Sequence, residues 1–101
     1  RIKKNDCVFV FSVGGGSSEK NISMNIVSAI EYAKEIGASV VGIVGKDGGT
    51  TKTIGDAVSV IPTINKSHIT PITEGFQAIV WHLLVSHPKL QQNPTKWEST
   101  K

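Results

Sequence analysis

Cys7-Val8-Phe9-Val10-Phe11, running on into Ser12-Val13-Gly14-Gly15-Gly16-Ser17-Ser18, is the stretch that decides the fold. Five apolar residues in a row, with Asn5-Asp6 in front and three glycines close behind, lack the alternation of a half-exposed strand. They read as a strand covered on both faces, as in a parallel sheet. From Asn21 the spacing turns helical, with Ile22, Ile26, Ala29, Ile30 and Ala33 recurring at three and four residues and Gly37 as a natural stop. Residues 39–44 form a second apolar run, ended by Gly45-Lys46-Asp47-Gly48-Gly49. A short turn or helix is expected over 50–55, and a third strand over 57–61 before Pro62. A second long helix is expected from Pro71, a residue suited to a first helical position, to about His87-Pro88.

This alternation predicts an α/β fold, a parallel sheet with flanking helices in flavodoxin- or Rossmann-like layers. Three strands and two long helices are few for such a sheet, which needs cover on both faces. The chain also opens without Met and meets a buried-type strand by Cys7. The expectation is an incomplete domain, with residues 5–88 its C-terminal portion and 89–101 a tail without periodicity.

Apolar residues make up 39% of the 101 and charged residues 19%, which argues against wholesale disorder. The longest nearly apolar stretch, residues 76–85, is too short to span a bilayer, and the opening residues lead to no expectation of a secretory leader. With Cys7 the single cysteine, no internal disulfide is available, and a reducing, cytoplasmic setting is expected. The net charge of +3 divides into +5 on residues 1–4 and 87–101 and −2 on residues 5–86. A mildly acidic body with basic ends lacks the basic stripe of a phosphate-backbone footprint, so nucleic acid is not an expected partner.

The glycine-serine loop sits at the carboxyl end of a strand and leads into a helix, where open α/β sheets bind ligands. Consecutive glycines allow close backbone approach, and Ser12, Ser17 and Ser18 add hydroxyls, a combination suited to phosphate. No Gly-Lys-Ser/Thr follows, and the GxGxxG spacing is absent, which excludes a P-loop and a dinucleotide fingerprint. By local pattern alone, a flexible turn with Ser18 or a neighbour as helix N-cap is an equal reading.

Ser12-Val13-Gly14-Gly15-Gly16-Ser17 resembles the S-T-S-G-x-S phosphate loop of sugar isomerase (SIS) domains. The resemblance continues through residues 29–35 and through Val44-Gly45-Lys46-Asp47-Gly48-Gly49, which is similar to the T-G-K-D-G-G segment of bacterial phosphoheptose (sedoheptulose 7-phosphate) isomerases. It implies that Ser12 and Ser17, with Ser18 and the backbone of Gly14, Gly15 and Gly16, hold a sugar phosphate. Lys46 and Asp47 then lie on the same rim as candidate sugar contacts, with a turn role for Asp47-Gly48-Gly49 an equal reading. Two departures stand out: Gly14 occupies the place of the family's middle serine, and the stretch from Ser18 to Met24 is longer.

On the second helix, Ile72, Phe76, Ile79, Val80 and Leu83 gather on one side, while Glu74 shares the other with Ala78, Trp81, His82 and Val85. A helix apolar nearly all round is buried or lies in an interface, so Glu74 and His82 are expected to be partly buried polar groups. The resemblance implies more. Phosphoheptose isomerases carry a glutamine and, eight residues later, a histidine at the sugar or a bound zinc; here these positions read Glu74 and His82. By that resemblance Glu74 and His82 are the catalytic candidates, and zinc ligands if zinc is a cofactor. His68 reads as exposed and His87 as a helix-end residue. The implied function is aldose–ketose isomerisation of a phosphorylated sugar by a homodimer or homotetramer, with the 101 residues alone inactive. The alternative is a phosphosugar-binding sensor or scaffold without catalysis, and a third reading is an interaction domain whose loop binds nothing.

Overall fold

The apolar runs become three parallel strands, β1 (Cys7–Ser12), β2 (Ser39–Val44) and β3 (Ala57–Val60), in the order β1-β2-β3. The structure is a computed structural model and describes residues 1–100. Cys7 pairs with Ser39 and Ser12 with Val44, while Val41 pairs with Ala57 and Val44 with Val60. This register brings the carboxyl ends of all three strands to one edge. Helix α1 (Met24–Glu35) joins β1 to β2, α2 (Gly49–Ile54) joins β2 to β3, and α3 (Ile69–Ser86) follows β3. The expected α/β architecture of a parallel sheet with flanking helices is present.

One face of the sheet makes the core. Val10, Val40 and Val44 meet Ile30 and Ala33 of α1, with Ala38 beside them, all buried. Alternation along β1 and β2 sends Phe9, Phe11, Val41 and Ile43 to the opposite face, where α3 lies. Cover there is thin: Phe9 and Phe11 stack on each other with ring centroids 4.6 Å apart yet remain 41% and 46% exposed.

Helix α1 starts at Met24, later than Asn21, because Ser17 and Ile22 first close an antiparallel bridge through paired N–H···O bonds of 2.9 Å. The bridge leaves Ile22 outside the helix and exposed. Val27, Ile30 and Ala33 form the buried stripe, with Ala29 turned outward. The N-cap is Ser23, in the left-handed region at φ 49°, and no side-chain bond caps the helix; Ser18 is not its cap.

Helix α3 begins at Ile69, directly after a 3-10 turn over Lys66–His68 that Asn65 caps by accepting the Ser67 N–H. Pro71 is therefore its third residue, still within the first turn where no intrahelical N–H is required. The face that packs on the sheet is the polar pair Thr73 and Gln77. Gly45 leaves space for Thr73, since a Cβ there would overlap it, and Gln77 Nε2 donates to the Ile43 carbonyl at 2.7 Å. Phe76, Ile79 and Leu83 stay exposed. Glu74 and His82 are exposed as well, which corrects the expectation of partial burial. His87 is the C-cap, as expected of a helix-end residue. In the tail, the Leu90 and Gln91 N–H groups both donate to the His87 carbonyl, and Lys101 lies outside the described residues. No helix among the described residues is long and apolar enough to cross a membrane.

Candidate functional site

Two glycine loops at the carboxyl edge of the sheet lie against each other. The first follows β1 and contains Gly14, Gly15 and Gly16; the second follows β2 and contains Gly48 and Gly49. Gly15 (φ 73°) and Gly49 (φ 54°) meet the opposite loop so closely that a Cβ on Gly15 would overlap the Gly48 carbonyl. A Cβ on Gly49 would overlap those of Gly14 and Gly16. Only glycine combines that conformation with that approach.

The contact is fastened by directed bonds. Val13 accepts the Gly45 N–H at 2.9 Å, Gly16 accepts the Thr50 N–H at 2.8 Å, and Gly15 accepts the Thr51 N–H at 3.0 Å. The Thr51 hydroxyl also donates to the Gly15 carbonyl, at 2.7 Å, and Thr51 is completely buried. Ser12 Oγ accepts the Gly15 N–H at 3.0 Å, and Ser17 Oγ accepts the Lys20 N–H at 3.2 Å, so each hydroxyl keeps its own proton to donate. Gly16 is buried, and its N–H has no partner among the described residues.

Beside these loops lies a polar hollow of about 410 Å³ lined by Ser17, Ser18, Glu19, Lys20, Asp47, Gly49, Thr50 and Thr53. The structure thus brings together Ser17, Ser18 and Asp47, residues from two loops separated by the whole of α1 and β2. Asp47 Oδ1 also accepts the Gly49 N–H at 3.0 Å, so it both shapes the turn and faces the hollow. Ser12, half-buried at the end of β1, supports the loop from below. Lys46 (φ 51°) is exposed and does not line the hollow. Glu19, Lys20, Thr50, Thr51 and Thr53 escaped sequence reasoning. The usable signals were the turn-forming Ser-Ser-Glu-Lys-Asn run and two threonines directly after Gly48-Gly49.

The second pair of candidates sits elsewhere. Glu74 lines an apolar hollow of about 500 Å³ with Phe9, Phe11, Gln77, Ala78, Trp81, Leu84 and Val85. His82 is outside that lining. Its ring stacks on Trp81 with centroids 3.6 Å apart, and its Nδ1 donates to the Ala78 carbonyl at 2.7 Å; Trp97 of the tail lies 6.0 Å away. Eight residues of helix rise about 12 Å, so Glu74 and His82 are two turns apart. Among the described residues no three His, Cys, Asp or Glu side chains gather to hold a metal, and a structural or catalytic zinc needs at least three protein ligands. Glu74 and His82 by themselves do not make a zinc site. His68 is exposed at the start of α3.

No family model matches the chain. Relatives in sequence include the lincomycin biosynthesis protein LmbN of Streptomyces lincolnensis, 38% identical over 78 residues, which are 76% of this chain and 28% of that protein. A phosphoheptose isomerase of Trichlorobacter lovleyi is 39% identical over 68% of this chain and 33% of its own length. One of Nitratiruptor sp. is 37% identical over 70% of this chain and 36% of its own. Among solved structures, a phosphoheptose isomerase from Francisella tularensis superposes with a TM-score of 0.55 at 26% identity, covering 80% of this chain and 41% of that one. The chain spans about a third of the length of the curated relatives it matches. With its parallel sheet, its flanking helices and its Ser-Gly loop, the chain is related in sequence and in fold to a part of the phosphoheptose isomerases, as the resemblance to SIS domains implied.

Proposed function

We propose that this chain is the phosphosugar-binding part of a sugar-phosphate isomerase of the phosphoheptose type. The observation that carries the reading is the loop at the end of β1, where Ser17 and Ser18 line one polar hollow together with Asp47, Thr50 and Thr53 from the second loop and α2. The hollow contains one cation, Lys20, and two carboxylates, Glu19 and Asp47, so bulk charge does not favour an anion there. Phosphate is then held by N–H and O–H donors with Lys20, while Asp47 and Glu19, as acceptors, suit sugar hydroxyls.

In the reaction proposed, a base moves a proton between C1 and C2 through an enediol, and the loop fixes the phosphate so that those carbons stay in place. His82 is the candidate acid–base. With Nδ1 donating to Ala78, the neutral ring presents its lone pair on Nε2, the form a base requires. Glu74 remains a candidate polar contact in its own hollow. Residues 5–88 act as one portion of an SIS domain, with 89–101 a tail, and the protein works as a homodimer or homotetramer.

A second reading, a sensor or scaffold that binds without turnover, is favoured by a specific observation. Neither Glu74 nor His82 lines the serine-side hollow, and Gly14 contributes no hydroxyl. One experiment separates the two. The full-length protein is heated with a panel of sugar phosphates, sedoheptulose 7-phosphate among them, and the same mixtures are followed for isomer formation. The isomerase reading expects a raised Tm together with turnover that His82→Ala reduces about 100-fold or more. A raised Tm without turnover selects the sensor, and an unchanged Tm with every sugar phosphate overturns both.

A further inference from the structure

We infer that Glu19 is a specificity-determining residue of the polar hollow: its carboxylate, together with that of Asp47, admits a sugar carrying one phosphate and rejects a sugar carrying two. The inference rests on the phosphosugar-binding reading above and adds to it how the site limits the number of phosphates.

The turn over 17–22 builds Glu19 into the wall of the hollow. Ser17 and Ile22 close the turn with two backbone bonds of 2.9 Å. Within it, the Lys20 N–H donates to Ser17 Oγ at 3.2 Å and the Asn21 N–H to the Ser18 carbonyl at 3.3 Å. Asn21 completes the turn in the left-handed region, at φ 53°. Ser17, Ser18, Glu19 and Lys20 line the hollow from this turn, and Asp47 lines it from the second loop, fixed there by its bond to the Gly49 N–H. The ion pair found among the described residues is Lys34–Asp56, so neither Glu19 nor Lys20 is neutralised by a neighbour.

The donors in the hollow match one phosphate. The hydroxyls of Ser17, Ser18 and Thr50 and the Lys20 ammonium are open to a ligand, whereas the Thr53 hydroxyl already donates to the Gly49 carbonyl at 3.2 Å. Glu19 and Asp47, ionised at neutral pH, only accept, which suits sugar hydroxyls and opposes a second phosphate. One cation against two carboxylates leaves the hollow net negative before any ligand arrives. A first phosphate offsets this with its hydrogen bonds and with Lys20; a second finds no unused cation. Like charge set against the wrong ligand gives specificity without any further contact to the right one. The hollow measures about 410 Å³, and the Debye length at about 0.01 M ionic strength is about 30 Å, so a second phosphate anywhere in it meets both carboxylates. The proposed isomerisation gives the rejection a purpose. A phosphate ester on C1 blocks the oxygen that must become a carbonyl, so a sugar phosphorylated at both ends occupies the site without turning over.

The test titrates the full-length protein by calorimetry with sedoheptulose 7-phosphate and with sedoheptulose 1,7-bisphosphate at low ionic strength. Wild type is compared with Glu19→Gln, which keeps size and removes charge, and with Glu35→Gln, an exposed position at the far end of α1 and outside the hollow. The wild type should bind the bisphosphate about tenfold or more weakly than the monophosphate. E19Q should shrink that ratio about three- to fivefold, the scale of one exposed charge pair, and E35Q should leave it unchanged. Equal affinities in the wild type, an unchanged ratio in E19Q, or the same fall in E35Q overturns the role of Glu19 while leaving phosphosugar binding intact. If E19Q does not fold, the wild type in about 1 M salt decides, where the Debye length is about 3 Å. Its ratio must shrink there, and a ratio unmoved by salt overturns the inference. Failure of the wild type to bind either sugar overturns the phosphosugar reading itself, and the inference with it.

Discussion

Lys34, near the end of α1, and Asp56, just before β3, form an ion pair of 2.7 Å, and the second Asp56 carboxylate oxygen accepts the Val40 N–H at 2.7 Å. The Asp56 N–H in turn donates to the Val40 carbonyl, so one residue ties α1, β2 and β3 together. The hydrogen bond from Lys34, and after it the Val40 N–H, hold the Asp56 carboxyl below its ordinary value. A carboxyl whose folded pKa is lowered contributes stability above its unfolded pKa and loses it as pH falls through the folded one. The pair is more than a third exposed, so salt screens it. Asp56→Asn should lower the Tm at pH 7, and the gap from wild type should close as the pH drops below the carboxylate range. Thermal melts from pH 7 to 2 check this; a gap that persists at the acid end contradicts it.

Adjacent glycines in the first loop should respond oppositely. At Gly14 an added Cβ meets nothing within 4 Å and φ is not positive, so Gly14→Ser should change stability by less than about 0.5 kcal/mol. It also adds a hydroxyl at the place of the family's middle serine and should tighten phosphate binding. Gly15→Ala combines positive φ with overlap on the Gly48 carbonyl and should cost about 2–4 kcal/mol. Urea unfolding of both variants decides; equal losses would contradict the loop packing described here.

Gln77 is the polar anchor of α3 on the sheet, 8% exposed and bonded to the Ile43 carbonyl. Gln77→Leu retains bulk but withdraws the donor, and should cost about 1–2 kcal/mol, seen as a lower urea midpoint at unchanged m. An unshifted midpoint would mean that α3 is held by other contacts.

Phe76, Ile79 and Leu83 follow one another at three and four residues on α3 and are 43%, 54% and 64% exposed. A continuous apolar stripe on a helix calls for cover, which supports the homo-oligomer proposed above. Sedimentation should give the mass of a dimer or tetramer, and Leu83→Glu should shift it toward one chain. A wild-type mass of a single chain sinks the oligomer.

The layers of this protein were legible from local pattern. An apolar run of strand length, a glycine behind it and a change of period to helical spacing are properties of adjacent residues. Residues 7–11, 39–44 and 57–61 therefore read directly as parallel strands, the last ending one residue earlier at Val60, with the serine loop at the carboxyl edge of the sheet. The start of α1 was not legible, because the Ser17–Ile22 bridge depends on two backbone bonds that compete with a helical turn. Thr51 was invisible for a related reason: its burial and its bond to Gly15 exist only once α2 is laid on the first loop. The second long helix makes the limit plain. Periodicity fixed which of its residues share a side, but the side that faces the sheet was chosen by Gly45, which leaves space for Thr73, and by the Ile43 carbonyl, which accepts Gln77. Local spacing encodes angles around one helix axis; only contacts between distant segments decide where that axis lies and which polar groups meet.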